Sequence, residues 1–263
     1  MELITSLTNA KVKMALSLQQ KKYRDKYQLF ILEGIRNAEM VIAKNISVQM
    51  CFFTQKAFTN ERGKSILEQL NCPCFEVPEH IYQKISDTQS PQGLMLILPI
   101  QNHNLDDLAT INKSGLYLIL DRLQDPGNIG TIIRTADAMG VKAIICLNGT
   151  ADIYSPKVVR SAMGSLFNLP IITTISEQDL LSFLIHRHDG NIAVVDLRLP
   201  HDGVAGHHGI QIALEHPLHV LRVGTAAAQV GRRLEGAAAG AVGKILGVQH
   251  DTRQQCLRLA FQD

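Results

Sequence analysis

Residues 120–140 read LDRLQDPGNIGTIIRTADAMG, and no other stretch restricts the chain as much. The apolar strand Leu116-Tyr-Leu-Ile-Leu runs into a turn set by Pro126-Gly127, and a helix follows from Gly130 to Met139. Gly127 and Gly130 permit close approach of a ligand to the backbone. Within the helix Ile132, Ile133, Ala136 and Met139 fall at core spacing, while Arg134 and Asp137 lie elsewhere on the circumference. A cation one turn inside a helix, whose N-terminus already favours anions, points to a phosphate or ribose site. A plain βα turn with an arginine reaching solvent is the competing reading. Dinucleotide binding fails on detail. Gly127-Asn-Ile-Gly130 lacks the G-x-G-x-x-G spacing, and no acidic residue closes the strand ending at Leu147.

Around this stretch the chain alternates strands and helices, which predicts an α/β protein. On the N-terminal side, strands are expected at Phe30-Ile-Leu, Val48 to Thr54, Phe75-Glu-Val and Leu94 to Leu98. Helices are expected at Asn9 to Gln20, Glu33 to Ala43, Gly63 to Leu70 and His80 to Ile85, giving a small parallel or mixed sheet. Residues 99–114, PIQNHNLDDLATINKS, are polar and rich in turn formers, so a linker at 101–114 separates domains 1–100 and 115–263. In the second domain, strands near Ala143 to Leu147, Ile171 to Thr174, Ile192 to Val195 and His219 to Val223 complete a parallel-sheet pattern.

A second segment, Tyr154 to Pro170, reads YSPKVVRSAMGSLFNLP. Pro156 suits the first position of a helix running to about Leu166, with Ser155 as its cap. Lys157 and Arg160 are three apart and share a face, which makes a two-cation clamp for phosphates or a solvated edge. Gly164 leaves room for a neighbouring chain or a cofactor.

Charge is distributed unevenly. The formal net charge is only +2, yet Lys11, Lys13, Lys21, Lys22, Arg24 and Lys26 crowd the first thirty residues against Glu2 and Asp25. That density fits a solvated helix face or an RNA-binding surface. No apolar run reaches the ~18 residues needed to span a bilayer, and the first residues show no signal-peptide pattern. Five cysteines, an odd number, fit a reducing compartment. His201, His207 and His208 lack Cys or Glu at ligand spacing, so they read as a polar loop and no metal is expected.

Together, Leu120 to Gly140 and Tyr154 to Pro170 resemble the first two signature motifs of the SpoU branch of the SPOUT methyltransferases. The Asn-x-Gly, the helical arginine and the Lys-x-x-Arg-x-x-x-Gly stand in the family's order. Ser6-x-x-Asn9-x-x-Val12-Lys13, Phe30 to Arg36 and Ser86 to Gly93 resemble the family's substrate-binding domain. The resemblance implies a trefoil-knotted C-terminal parallel-sheet domain, a smaller N-terminal α/β RNA-binding domain similar to ribosomal protein L30e, and a homodimer formed through the C-terminal domain. It implies transfer of methyl from S-adenosylmethionine to a ribose 2′-hydroxyl of structured, ribosomal RNA in the cytoplasm. Asn128 and Arg134 would be the catalytic residues, with Lys11, Lys13, Lys21, Lys22, Arg24, Arg36, Lys157 and Arg160 on RNA. Gly164, Ser165, Val223, Gly224, Thr225, Ile245 and Gln255 would line the cofactor.

The chain departs from the family in its third motif. Thr225-Ala226 replace Asn-Glu, Ile245-Leu246 replaces Ile-Pro, and Arg253-Gln254-Gln255-Cys256 replaces Ser-Leu-Asn-Val. Three explanations stay open: an RNA-binding homologue without catalysis, a local frame error in an Ala/Gly/Arg-rich stretch, or a cofactor grip supplied by main chain alone.

Overall fold

The structure is a computed structural model, which describes residues 1–109, 116–176, 178–180, 183, 191–195 and 220–223. It divides into two compact units. One comprises residues 1–101, 126–134 and 152–168; the other comprises 102–125, 135–151 and the chain from 169 onward.

The first unit holds β1 (Glu2–Leu3), α1 (Ala10–Ser17), α2 (Lys21–Tyr27), β2 (Leu29–Glu33), α3 (Ile35–Ala43) and β3 (Met50–Phe53). It continues with α4 (Gln55–Thr59), α5 (Glu61–Gln69), β4 (Cys74–Glu76), α6 (Glu79–Ile85) and β5 (Leu94–Pro99). The sheet order is β1-β4-β3-β5-β2. It is mixed: β4 pairs parallel with β1 and β3, whereas β5 is antiparallel to both β2 and β3. Val12, Ala15 and Leu18 of α1 and its end pack with Ile81, Tyr82 and Ile85 of α6 over Ile31, Phe52, Phe75, Met95 and Ile97 of the sheet. Asn9 starts α1 by accepting the Lys11 amide at 2.8 Å, and Asn60 caps α5 in the same way.

The run KKYRDKY forms a helix of its own, α2, which the sequence left as a basic stretch after α1. Lys21 and Asp25 pair at 2.6 Å one turn apart, and Gln28, at φ 53°, takes the left-handed conformation that ends it.

In the second unit β6 (Leu116–Leu120), β7 (Ala143–Leu147), β8 (Ile171–Ile175), β9 (Asn191–Val195) and β10 (Val220–Val223) form an all-parallel sheet in the order β10-β9-β6-β7-β8. Tyr117, Ile119, Ala143, Ile145, Leu147 and Ile172 build its core with Leu108 and Leu180. Helix α7 (Pro126–Ala138) starts four residues earlier than the sequence reading, because proline needs no amide partner in a first turn. Helix α8 (Pro156–Ser161) is shorter than expected. Met163 at φ 48° and Gly164 at φ 87° turn left-handed and break it before a 3-10 turn at Ser165–Phe167. Residues 196–219 and 224–263 lie outside the described residues, and the expectation of a knot is not addressed by the rest. Among the described residues no helix is long and apolar enough to cross a membrane.

Candidate active site

In the second unit, strand order locates a candidate ligand site. From β6 the chain moves outward to β7 and β8 on one side, then returns to β9 beside β6 and moves outward to β10. The direction of winding therefore reverses between β6 and β9, and parallel α/β sheets bind ligands at the carboxyl ends of strands at such a point. Leu120 of β6 and Val223 of β10 both pair with Val195 of β9, so the three strands end level.

At the end of β6 stands Asp121, 1% exposed, whose carboxylate accepts Arg122 Nε at 2.7 Å and Nη2 at 3.2 Å. Arg122 has φ 54°, a conformation a non-glycine residue holds only when its surroundings impose it. Here Thr150 imposes it: its hydroxyl accepts the Arg122 amide at 3.1 Å and donates to Leu120 O at 3.0 Å. The sequence reading missed Asp121, although an Asp-Arg pair directly after an apolar strand was the available signal.

In the first unit, a pair of helix segments carries the sequence-predicted catalytic and phosphate-binding residues. Asn128 and Arg134 are both exposed, six residues apart and so about 9 Å apart along the axis of α7. Gly130 is buried between them against Ser161 of α8. The Ser161 hydroxyl donates back to Lys157 O at 2.6 Å, with Pro126 O at 3.4 Å. Arg134 Nη1 reaches Met163 Sδ at 3.0 Å. On α8, Val158 and Val159 are buried, and Lys157 and Arg160 point to solvent. Arg160 Nη1 meets Asp87 Oδ2 at 3.0 Å. Asp87 is presented by a loop that Glu33 holds, its carboxylate accepting the hydroxyls of Ser86 at 2.8 Å and Thr88 at 3.0 Å. Tyr82 donates to the same carboxylate at 3.4 Å; burial first, then the Glu33 charge, pushes its hydroxyl well above the ordinary range.

Two family profiles match this chain: the MRM3-like substrate binding domain over residues 9–96 and the SpoU rRNA Methylase family over residues 115–208. Residues 115–208 are thus similar to a SpoU methylase domain and residues 9–96 to an MRM3-like substrate-binding domain. A Bacillus subtilis relative, the 23S rRNA (guanosine(2553)-2'-O)-methyltransferase RlmP, is 34% identical over 172 residues, 65% of this chain and 65% of that protein. The human mitochondrial rRNA methyltransferase 3 is 28% identical over 170 residues, 64% of this chain and 40% of that protein. The chain thus spans less than two thirds of the curated relatives it matches. An AdoMet-bound rRNA methyltransferase from Sinorhizobium meliloti superposes with a TM-score of 0.65 at 25% identity, covering 92% of this chain and 99% of that one.

The residues expected at the cofactor are placed unevenly. Val223 ends β10 level with Leu120. Ser165 is buried in the 3-10 turn. The room left by Gly164 is filled by Met40 of α3, whose Sδ would lie 2.2 Å from an added β-carbon, so this glycine serves internal packing. Gly224, Thr225, Ile245 and Gln255, like His201, His207 and His208, lie outside the described residues.

In the substrate-binding domain Lys13, Lys21, Lys22 and Arg36 are exposed. Lys11 is half-buried, 2.8 Å from Glu2 and 4.0 Å above the Phe75 ring. Arg24 departs from the expectation. It is 3% exposed, turned inward on to Asp152, and cannot belong to an RNA surface. Ser155 departs too: it makes no capping hydrogen bond, and its neighbour Asp152 organises the turn instead.

Proposed function

We propose that this protein transfers a methyl group from S-adenosylmethionine to a ribose 2′-hydroxyl in structured ribosomal RNA. The observation that carries the reading is the contact of α7 with α8 through Gly130 and Ser161, which brings a helix with Asn128 and Arg134 against one with Lys157 and Arg160. The names of several relatives, rRNA methyltransferases and some explicitly 2'-O, support it.

S-adenosylmethionine, when bound, supplies an electrophilic methyl on its sulfonium. Its place in this reading is at the level ends of β6, β9 and β10, with Val223 at one strand end and, by sequence, Gly224 next. Lys157 and Arg160 hold RNA phosphates, and Asn128 orients the ribose through its side-chain amide. Arg134 is no general base, because a guanidinium keeps its proton above pH ~12. It binds the phosphate beside the target and stabilises the alkoxide developing on the 2′-oxygen, while the proton leaves to water or phosphate.

Two protomers joined through the C-terminal domain, its knotted core and the L30e likeness of the N-terminal domain belong to the same reading, as does a cytoplasmic setting. The test is incorporation of labelled methyl into an unmethylated large-subunit ribosomal RNA transcript. One alkali-resistant dinucleotide is expected, since a methylated 2′-oxygen cannot attack its own phosphate. RNA binding without incorporation would instead favour the non-catalytic homologue that Thr225-Ala226 suggests.

A further inference from the structure

Arg24 and Asp152 are 128 positions apart in sequence and form an ion pair whose side chains are 4% and 16% exposed. Arg24 Nε and Nη2 donate to Asp152 Oδ2 at 2.8 and 2.5 Å, and Nη1 donates to Leu18 O at 2.6 Å. Both nitrogens use one carboxylate oxygen, which leaves the other free for the backbone. Asp152 Oδ1 accepts the Tyr154 amide at 2.9 Å, and Asp152 O accepts the Ser155 amide at 3.1 Å. These two bonds shape the turn that enters α8. Ser155 contributes no cap there, and its buried hydroxyl has no partner among the described residues. Tyr154 adds two further ties: its hydroxyl donates to Gln101 O at 3.0 Å, and its ring lies 4.9 Å from that of Phe30.

We propose that Arg24 and Asp152 are positioning residues, a buried pair that fixes the turn at residues 152–155 and so sets the direction in which α8 presents Lys157 and Arg160 to RNA phosphate. The proposal rests on the reading that Lys157 and Arg160 contact RNA. A helix of six residues has one full turn and a half to hold its own direction, so its entry turn decides where its side chains point. A lysine at position 24 keeps the charge yet cannot span both Leu18 O and the carboxylate, because it lacks the planar fork. The pair also explains why one cation of the KKYRDK run is buried while Lys21, Lys22 and Lys26 face solvent.

The experiment compares the full chain with Arg24→Lys and with the double variant Arg24→Met/Asp152→Asn, which leaves neither charge buried alone. Hydrogen exchange at the Tyr154 and Ser155 amides is the first readout, and at least tenfold faster exchange is expected in both variants. The second is affinity for the ribosomal RNA transcript under conditions where each variant is folded. At least fivefold weaker binding is expected, and Lys157→Gln should cost less than twofold in the variant background, against the several-fold it costs in the parent. Unchanged exchange at both amides, or parental RNA affinity in either folded variant, overturns the proposal. Should Lys157→Gln leave the parent's affinity unchanged, the assignment of α8 to RNA is overturned instead, and this proposal falls with it.

Discussion

Gly130 lies so close to Ser161 that a β-carbon on it would stand 2.1 Å from Ser161 Oγ, 2.6 Å from Ser161 Cβ and 2.9 Å from the Ala162 amide nitrogen. A hydroxyl can rotate away, but a Cβ and a backbone nitrogen cannot without moving α8. Gly130→Ala therefore separates the two helices, an overpacking that costs about 1–3 kcal/mol. Melting followed by circular dichroism should show a fall of roughly 2–10 °C for a chain of this size. An unchanged midpoint would mean that the helices do not touch here.

Arg134 gives the opposite pattern. It is exposed, and the described contact of its Nη1 is Met163 Sδ at 3.0 Å. Arg134→Lys should leave stability within about 0.5 kcal/mol, as surface changes do. Methyl transfer to the transcript should fall by more than about tenfold, because an ammonium offers no fork to phosphate and alkoxide together. Near-parental turnover would remove Arg134 from the chemistry.

Much of this arrangement is legible in the sequence, and the misses have physical causes. Apolar runs such as Ala143 to Leu147 announce buried parallel strands because both faces are covered, and that strand was read to the residue. The glycine at 130 announces a close approach, which the sequence assigns to a ligand, but Ser161 of α8 is what approaches. Gly164 was read likewise, but a glycine cannot say whether its visitor is a cofactor or Met40. Arg24 misled for a different reason. A charge run advertises solvent exposure, and only the fold brings Asp152 to it. The same holds for Arg160, whose partner Asp87 lies 73 positions away. Propensity missed α2 because lysines and tyrosines mark no apolar stripe; the helix is fixed by Arg24 pointing inward.

Cys146 of β7 offers a pH test of the second unit. Burial pushes its thiol up to about 12, against an ordinary value of 9.0. A raised folded value means that the thiol keeps its proton in the folded state after the unfolded chain has lost it. Its contribution is therefore whole below about pH 9 and disappears as pH rises towards 12. Urea unfolding should lose up to about 1.4 kcal/mol per pH unit in that window, and Cys146→Ala should flatten the slope by that share. At pH 8 the native protein should expose Cys72 and Cys74, which are half-buried, to a thiol reagent before Cys146, which should react only on unfolding.

Salt dependence tests the phosphate clamp. Each cation that neutralises an RNA phosphate releases counterions, so the slope of log affinity against log salt counts such contacts. Lys157→Gln and Arg160→Gln should each weaken binding to the transcript and each reduce the magnitude of that slope by close to 1. Arg160 must first leave Asp87, but both side chains are about half exposed, at 47% and 48%, and such pairs contribute only about 0–1 kcal/mol. Asp87 is therefore a weak competitor for Arg160 and not a lock. Asp87→Asn should tighten RNA binding by no more than about fivefold. In a chain that already carries Arg160→Gln that gain should vanish, since nothing is left for Asp87 to compete for. A gain that persists there would assign the effect of Asp87 to long-range repulsion of the RNA and overturn its competition for Arg160.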